Sequence, residues 1–249
     1  MKQHVCIIGG GVIGCATALA LATAGCHVTL IERGALGSES SWAGAGLLSP
    51  LLPWHYRDEV TRLTDWSRAL YPAWIDDLRA ASGVDPEYRA SGMLVLPPYD
   101  RAAALAWASA GGEPVQELSA RAMLPDLAID DSALWMCQVA QVRNPRLLQA
   151  LRLALLRHGV QILEQTAVTS WQSSPTHIDA VITLQGAITA DVFVLAAGAW
   201  SRELLGADIP IKPVRGQIVL FKAEPGRLKQ VVYRDGLYII PRDDGHILV

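Results

Sequence analysis

With 249 residues, 51% of them apolar and 18% charged, the chain is long enough to bury a sizeable core and has no tract polar enough to stay disordered. A net charge of −3, with Lys and Arg scattered along the chain, excludes the basic footprint of a nucleic-acid binder. The four cysteines, Cys6, Cys15, Cys26 and Cys137, form no C-x-x-C pair and no zinc-type His/Cys spacing, so no metal is expected and free thiols of a reducing, cytoplasmic compartment are.

The first predicted elements lie in CIIGGGVIGCATALALATAGCHVTLIER, residues 6–33, a run with three consecutive glycines and no acid, lysine or arginine before Glu32. Residues 5–27 are therefore uncharged, which raises membrane and export readings. The glycine triplet interrupts the apolar run, only Lys2 and His4 precede it, and a second strand-like run, HVTLIER, follows; all three features argue against both readings. Residues 5–8 have the β-branched character of a buried strand, and an alanine-rich helical pattern reaches residue 24. In the turn between them Gly9 permits the bend, Gly11 lets backbone approach a pyrophosphate, and Gly14 lets helix and strand pack closely. The diphosphate then sits at the helix N-terminus, over Val12 and Ile13, where N–H groups are free. A second strand over residues 27–31 ends at Glu32, whose carboxylate can accept hydrogen bonds from a ribose 2′-hydroxyl. Strand, glycine turn, helix, strand and terminal acid together predict a dinucleotide site.

That fingerprint is common to NAD and FAD. The next loop, GSESSWAGAGLLSP over residues 37–50, brings hydroxyls at Ser40 and Ser41 and bare backbone at Gly44 and Gly46, a second glycine-rich approach suited to a long extended cofactor, and so favours FAD.

Residues 58–81 carry Val60, Leu63, Trp66, Leu70 and Trp74 at helical spacing, and Trp66 and Trp74 are expected in the core. SGMLVLPP over 91–98 reads as a strand, 99–109 as a helix, and 113–131 as a short helix with acidic loops. In VRNPRLLQALRLALLRHG, residues 142–159, Asn144 is placed to cap a helix, Pro145 to open it and Gly159 to stop it. VQILEQTAV follows as a strand. Residues 192–195 form a buried-type strand, the small residues Ala196, Ala197 and Gly198 let a ligand approach backbone, and a helix starts at Ala199. From residue 209 onwards IPIKPVRGQIVLFK, QVVYRD, LYIIPRDD and GHILV read as an antiparallel meander with turns at 224–227, 235–236 and 243–245.

The segments IIGGGVIGCATALALATAG, LIERG, SSWAGAGLLSP, VRNPRLLQAL, VLAAGAWS, PVRGQIVLF and YIIPR, in this order along nearly the whole chain, resemble the D-amino-acid oxidase superfamily of flavoproteins. SSWAGAGLLSP, PVRGQ and YIIPR resemble its glycine oxidase branch, linked to thiamine synthesis. The resemblance implies an α/β fold: a Rossmann-type FAD-binding domain with a mainly parallel sheet, residues 1–82 and 141–206, interleaved with a smaller α+β substrate domain with an antiparallel sheet, residues 83–140 and 207–249. It adds Arg33, Ala45, Gly46 and Leu47 to the FAD contacts, gives Val168 a backbone contact to the adenine, and sets Ala197 and Gly198 beside the diphosphate. Tyr238, in LYIIPR, matches the pocket tyrosine that binds the substrate carboxylate, and Arg215, in PVRGQ, is expected on a strand near the flavin ring.

The implied reaction is oxidation of glycine or another small amino acid to the imine, with O2 as oxidant and H2O2 as product. Such chemistry needs little acid–base machinery, and the sequence has no hydrolytic triad or paired carboxylates; His55, His177 and His246 stand isolated. D-amino-acid dehydrogenases and sarcosine-type oxidases share the fold, and a non-catalytic FAD-binding fragment is the alternative from another class. A homo-oligomer is compatible with this reading. Members of the family run roughly a hundred residues further, about the size of another domain-sized unit, and that tail carries the arginine that clamps the substrate carboxylate. The chain is accordingly expected to be truncated at its C-terminus.

Overall fold

The computed structural model describes residues 2–49, 52–126, 132–206 and 208–249. The end of the expected short helix with acidic loops, 127–131, lies outside the described residues, as do Pro50 of the glycine-rich loop and Ala207 at the expected domain boundary.

Two units emerge. The first comprises Met1–Gly44, Asp76–Pro86 and Asn144–Gly216. Its centre is a parallel four-stranded sheet in the order Val192–Leu195, His4–Ile8, His27–Ile31, Gln161–Leu163. Ile8 is level with both Leu195 and Ile31, so the carboxyl ends of the strands form one edge. Val5, Cys6, Ile7 and Ile8 are all buried, because a parallel strand is covered on both faces and needs no polar side. One face meets the helix Val12–Thr23, whose buried residues are Gly14, Cys15, Ala18 and Leu19, and this helix packs on Asn144–Arg157. On the other, Cys6, Ile8 and Ile31 pack with Val181, Trp171 and Ile188 of an antiparallel sheet, Gly186–Thr189, Ile178–Thr183 and Val168–Ser173. Burying each large side chain such as Ile7, Leu30 or Leu151 contributes about 1.5–3 kcal/mol.

The second unit comprises Ala45–Ile75, Glu87–Arg143 and Gln217–Val249. Its seven-stranded sheet runs Leu220–Lys222, His246–Leu248, Leu237–Pro241, Val231–Arg234, Met93–Val95, Ser132–Met136, Val115–Ser119. All pairs are antiparallel except Val231–Arg234 with Met93–Val95. The core holds Leu52, Met93, Val95, Leu134, Met136, Val231 and Ile240. Asp100 accepts the Ala103 N–H at 2.9 Å and caps the helix Arg101–Ser109.

Several expectations need correction. Residues 45–75, assigned above to the FAD domain, group with the second unit because Leu47–Leu48 pairs with Ala140–Gln141 and Leu52 and Trp54 join its core. The helix Asp58–Ser82 is where expected, but Trp66 is 69% exposed, with Val60, Leu63 and Leu70 also on the surface; periodicity shows that a face is apolar, not that something covers it. Trp74 is half-buried against Tyr71. Val115–Ser119 is a strand rather than part of a helix; as an edge strand it tolerates the polar side chains that hid it. The run 160–168 splits into two strands at Gln165, whose φ is 51°. Residues 211–219 form no strand: the ladder from Leu220–Lys222 runs to the Val219–Val249 pair, and the residues before it face no partner strand among those described. Arg215 is therefore exposed on an irregular segment.

Candidate functional site

A cavity of about 650 Å3 opens at the carboxyl edge of the parallel sheet in the first unit, where open α/β sheets take their ligands. Its floor is the glycine turn. Gly9 has φ +114°, and a β-carbon there would meet the Ala196 carbonyl oxygen closer than 3.0 Å; one on Gly14 would meet the Gly9 carbonyl oxygen equally closely. The turn is thus built against its own backbone, and only glycine fits. Gly11 serves differently: a β-carbon would lie 3.1 Å from Ser41 Oγ and fill the floor.

The helix Val12–Thr23 begins with no side-chain cap from its N-cap residue and no acid in its own first turn; two side chains from outside the helix reach its positive end, Ser41 and Glu32. One N–H, that of Val12, donates to Ser41 Oγ at 2.9 Å. Ser41 is fixed in turn by Asn144, the first residue of its helix, whose Nδ2 donates to the Ser41 carbonyl at 2.9 Å.

Glu32 closes the strand His27–Ile31 and braces the turn. Its Oε2 accepts the Gly10 N–H at 2.7 Å and its Oε1 the Gly34 N–H at 2.8 Å. A carboxylate has about four lone-pair sites, so two remain for a ligand hydroxyl. Gly34 begins the loop of residues 34–39, which Glu164 ties down: one oxygen accepts the Leu36 N–H at 2.7 Å, and both receive the Arg152 guanidinium at 2.7 and 2.6 Å. The Arg152 hydrogen bond first, then that of Leu36, holds the Glu164 carboxyl down at about 2. Arg33 lies with its guanidinium 3.9 Å from the centre of the Trp200 ring and donates to Glu39 at 2.9 Å.

Of the residues singled out from the sequence, Gly9, Gly11, Val12, Ile13, Glu32, Arg33, Ser40, Ser41, Val168, Ala197 and Gly198 line this one cavity. Gly14 lies behind the wall, where it sets the helix against the strand. Ala45, Gly46 and Leu47 belong to the second unit, where the Gly46 carbonyl accepts the Val142 N–H at 2.8 Å and Leu47 pairs with Gln141. Tyr238 is in the second unit too, opposite Tyr233 with ring centres 6.3 Å apart. Arg215 does not line the cavity. Sequence reasoning missed Trp200, Thr166 and Asn144 on the wall. Trp200 stood inside the quoted segment VLAAGAWS, but nothing in a lone tryptophan announces a cation stack. The residues present fit an extended dinucleotide: a floor a β-carbon would fill, a helix N-terminus with no acid in its own first turn for the diphosphate, and a carboxylate with acceptor capacity left for a ribose.

Comparison with known proteins agrees with this geometry. The family model for FAD dependent oxidoreductases (DAO) matches residues 4–249. A glycine oxidase from Pseudomonas aeruginosa is 43% identical over 257 residues, covering 100% of this chain and 71% of the relative. A bifunctional protein ThiO/ThiG from Synechocystis is 32% identical and covers 99% of this chain and 38% of the relative. The crystal structure of glycine oxidase from Bacillus cereus superimposes with a TM-score of 0.90 at 30% identity, over 99% of this chain and 70% of that one. Among the described residues no helix is long and apolar enough to cross a membrane. Matched by the family model over almost its whole length, and built around a glycine-floored dinucleotide cavity, the chain belongs to the FAD dependent oxidoreductase (DAO) family.

Proposed function

We propose that this protein oxidises glycine, or a similarly small amine bearing an α-carboxylate, to the imine, with O2 as the terminal oxidant, and that the imine feeds thiazole synthesis in the cytoplasm. The observation that carries the reading is the 43% identity to a glycine oxidase over the entire chain. The 32% identity to a bifunctional ThiO/ThiG protein supports the link to thiazole synthesis, and the four free cysteines suit a reducing compartment.

The substrate gives up a hydride equivalent from its α-carbon and a proton from its nitrogen, leaving C=N. FAD, when bound, takes up the two electrons and delivers them to O2, which with two protons becomes H2O2. What remains to the protein is binding and orientation. In this reading the free N–H groups at the start of the helix Val12–Thr23 hold the diphosphate, Glu32 accepts from the adenosine ribose, and Arg33, Trp200 and Val168 form the wall on that side. Tyr238 donates its hydroxyl to the substrate carboxylate. Ala45, Gly46 and Leu47 approach the flavin through backbone, and Arg215 is assigned beside the flavin ring by resemblance alone.

The test is a peroxide assay on the FAD-supplemented protein with glycine, sarcosine and D-alanine. Peroxide on glycine at least matching the other two is the expected result. Peroxide on D-alanine or sarcosine alone would move the substrate assignment. Reduction of an artificial electron acceptor without O2 uptake would make the protein a dehydrogenase, and neither activity would overturn the catalytic reading.

A further inference from the structure

The second unit holds a cavity of its own, about 390 Å3 in volume, at the end of its large sheet where Arg242 and Asp243 meet residues 89–91 and 226–229. Three cations, Arg89, Lys229 and Arg242, share its wall with a single carboxylate, that of Asp243. None of these residues lines the dinucleotide cavity.

Arg242 is the unusual member. It is 6% exposed, and both of its hydrogen-bonded acceptors are neutral: Nη1 donates to Gln141 Oε1 and Nη2 to the Ala45 carbonyl, each at 2.7 Å. Its Nε is buried and has no partner among the described residues. A guanidinium stays charged even when desolvated, so an interior arginine without a carboxylate is a charge awaiting its counterion. Burial pushes its pKa down to about 10, against the opposing pull of the Glu87 and Asp244 carboxylates.

The neighbouring carboxylates are committed elsewhere. Asp243 pairs with Arg89, and Glu87 and Asp244 both pair with Arg143, at 3.3 and 2.8 Å. On the cavity wall three positive charges stand against one negative, and the Glu87, Asp244 and Arg143 group behind it, two carboxylates on one guanidinium, reduces the local excess to one. Ser91 adds a neutral donor: its Oγ accepts from Gln141 Nε2 at 3.0 Å, which leaves the hydroxyl hydrogen to point elsewhere.

We propose that this cavity is an oxyanion site for inorganic phosphate or a small phosphate monoester, held by Arg242, Lys229 and Ser91. A phosphate carries at least one negative charge at neutral pH and several acceptor oxygens, enough to answer the excess positive charge and three separate donors at once. A monocarboxylate offers two acceptor oxygens on one edge and reaches the three donors less completely than a tetrahedral oxyanion.

The experiment uses the FAD-loaded protein, so that the dinucleotide cavity is filled, and titrates inorganic phosphate by calorimetry and thermal unfolding against acetate and chloride at equal ionic strength. The expected result is saturable heat and a rise in Tm with phosphate only. Lys229→Ala and Ser91→Ala, both outside the flavin machinery, should weaken phosphate binding on the order of tenfold and severalfold respectively. Arg242→Leu should abolish it; if that variant does not fold, the other two still decide. Acetate binding as tightly as phosphate would overturn the phosphate assignment. No phosphate response up to about 20 mM, or a response unchanged by Lys229→Ala, would overturn the site itself.

Discussion

Gly14 touches the Gly9 carbonyl so closely that a β-carbon on Gly14 would come within 3.0 Å of the Gly9 oxygen. The obstacle is backbone, so no rotamer change relieves it and the helix Val12–Thr23 has to lift from the strand His4–Ile8. Gly14→Ala should therefore cost about 1–3 kcal/mol of stability through overpacking and lose FAD as well. Gly11→Ala separates the two effects. Gly11 has an ordinary extended backbone, φ −72° and ψ 178°, and its β-carbon would meet only the movable Ser41 hydroxyl at 3.1 Å. Its stability should change by less than about 1 kcal/mol, while the methyl group blocks the diphosphate and weakens FAD binding. Urea unfolding and FAD titration by flavin fluorescence check both; equal effects on stability and affinity in the two variants would contradict this division of labour.

The Arg152–Glu164 pair makes a prediction about pH. Its carboxylate is held at about 2, below the ordinary glutamate range, first by Arg152 and then by the Leu36 N–H. A depressed folded-state pKa contributes stability that is present above the unfolded value and lost as pH falls through the folded one. Glu164→Gln should destabilise the protein at neutral pH by about 1–2 kcal/mol, a figure discounted because the Arg152 side chain is 42% exposed. The gap between wild type and variant should close as pH falls from about 5 toward 2. Since Glu164 anchors the loop after Gly34, FAD affinity should fall in parallel. A stability gap independent of pH would rule out the ion pair as its source.

The dinucleotide turn was legible because most of its constraints lie within one short stretch of chain. The positive φ of Gly9, the contact of Gly14 with Gly9 and the reach of Glu32 to Gly10 all fall within one strand, turn, helix and strand, although the backbone that also crowds Gly9 is that of Ala196; the hairpin at Asp235 and Gly236, with φ of 45° and 83°, is fully local. What escaped depends on distant partners. Asn144 stands at the start of its helix, and its side-chain amide reaches Ser41, 103 positions away, a contact no local pattern announces. Val115–Ser119 looked like helix and loop because an edge strand needs only one neighbour, and residues 211–218 looked like a strand although no strand among the described residues pairs with them. The exposed stripe at Leu63, Trp66 and Leu70 shows the same limit, since periodicity cannot say what faces it.

Thiol chemistry offers a check on the core that does not involve the cofactor. Burial pushes both Cys6 and Cys15 up to about 12, whereas Cys137 is exposed. The thiolate is the reactive form, so a neutral-pH disulfide reagent should modify Cys137 quickly, Cys26 more slowly, and Cys6 and Cys15 only after unfolding. Mass mapping of the labelled peptides reads this directly. Prompt labelling of Cys6 in the native protein would mean that the sheet centre is open to solvent.

Tyr233 and Tyr238 face each other across neighbouring strands with nearly parallel rings, yet their hydroxyls differ. Tyr233 accepts the Gly236 N–H at 3.0 Å and so fastens the hairpin turn, while the Tyr238 hydroxyl has no hydrogen bond among the described residues. A hydroxyl without an internal partner can be removed at little structural cost, so Tyr238→Phe should leave stability within about 0.5 kcal/mol of wild type and FAD retention unchanged. If Tyr238 binds the substrate carboxylate, the same variant loses a hydrogen bond to a charged group, and KM for glycine should rise about tenfold with a smaller effect on kcat. Tyr233→Phe should do the reverse, lowering stability by about 1 kcal/mol with KM nearly unchanged. Steady-state oxygen uptake with both variants decides: if KM does not move in Tyr238→Phe, the carboxylate is held by some other group.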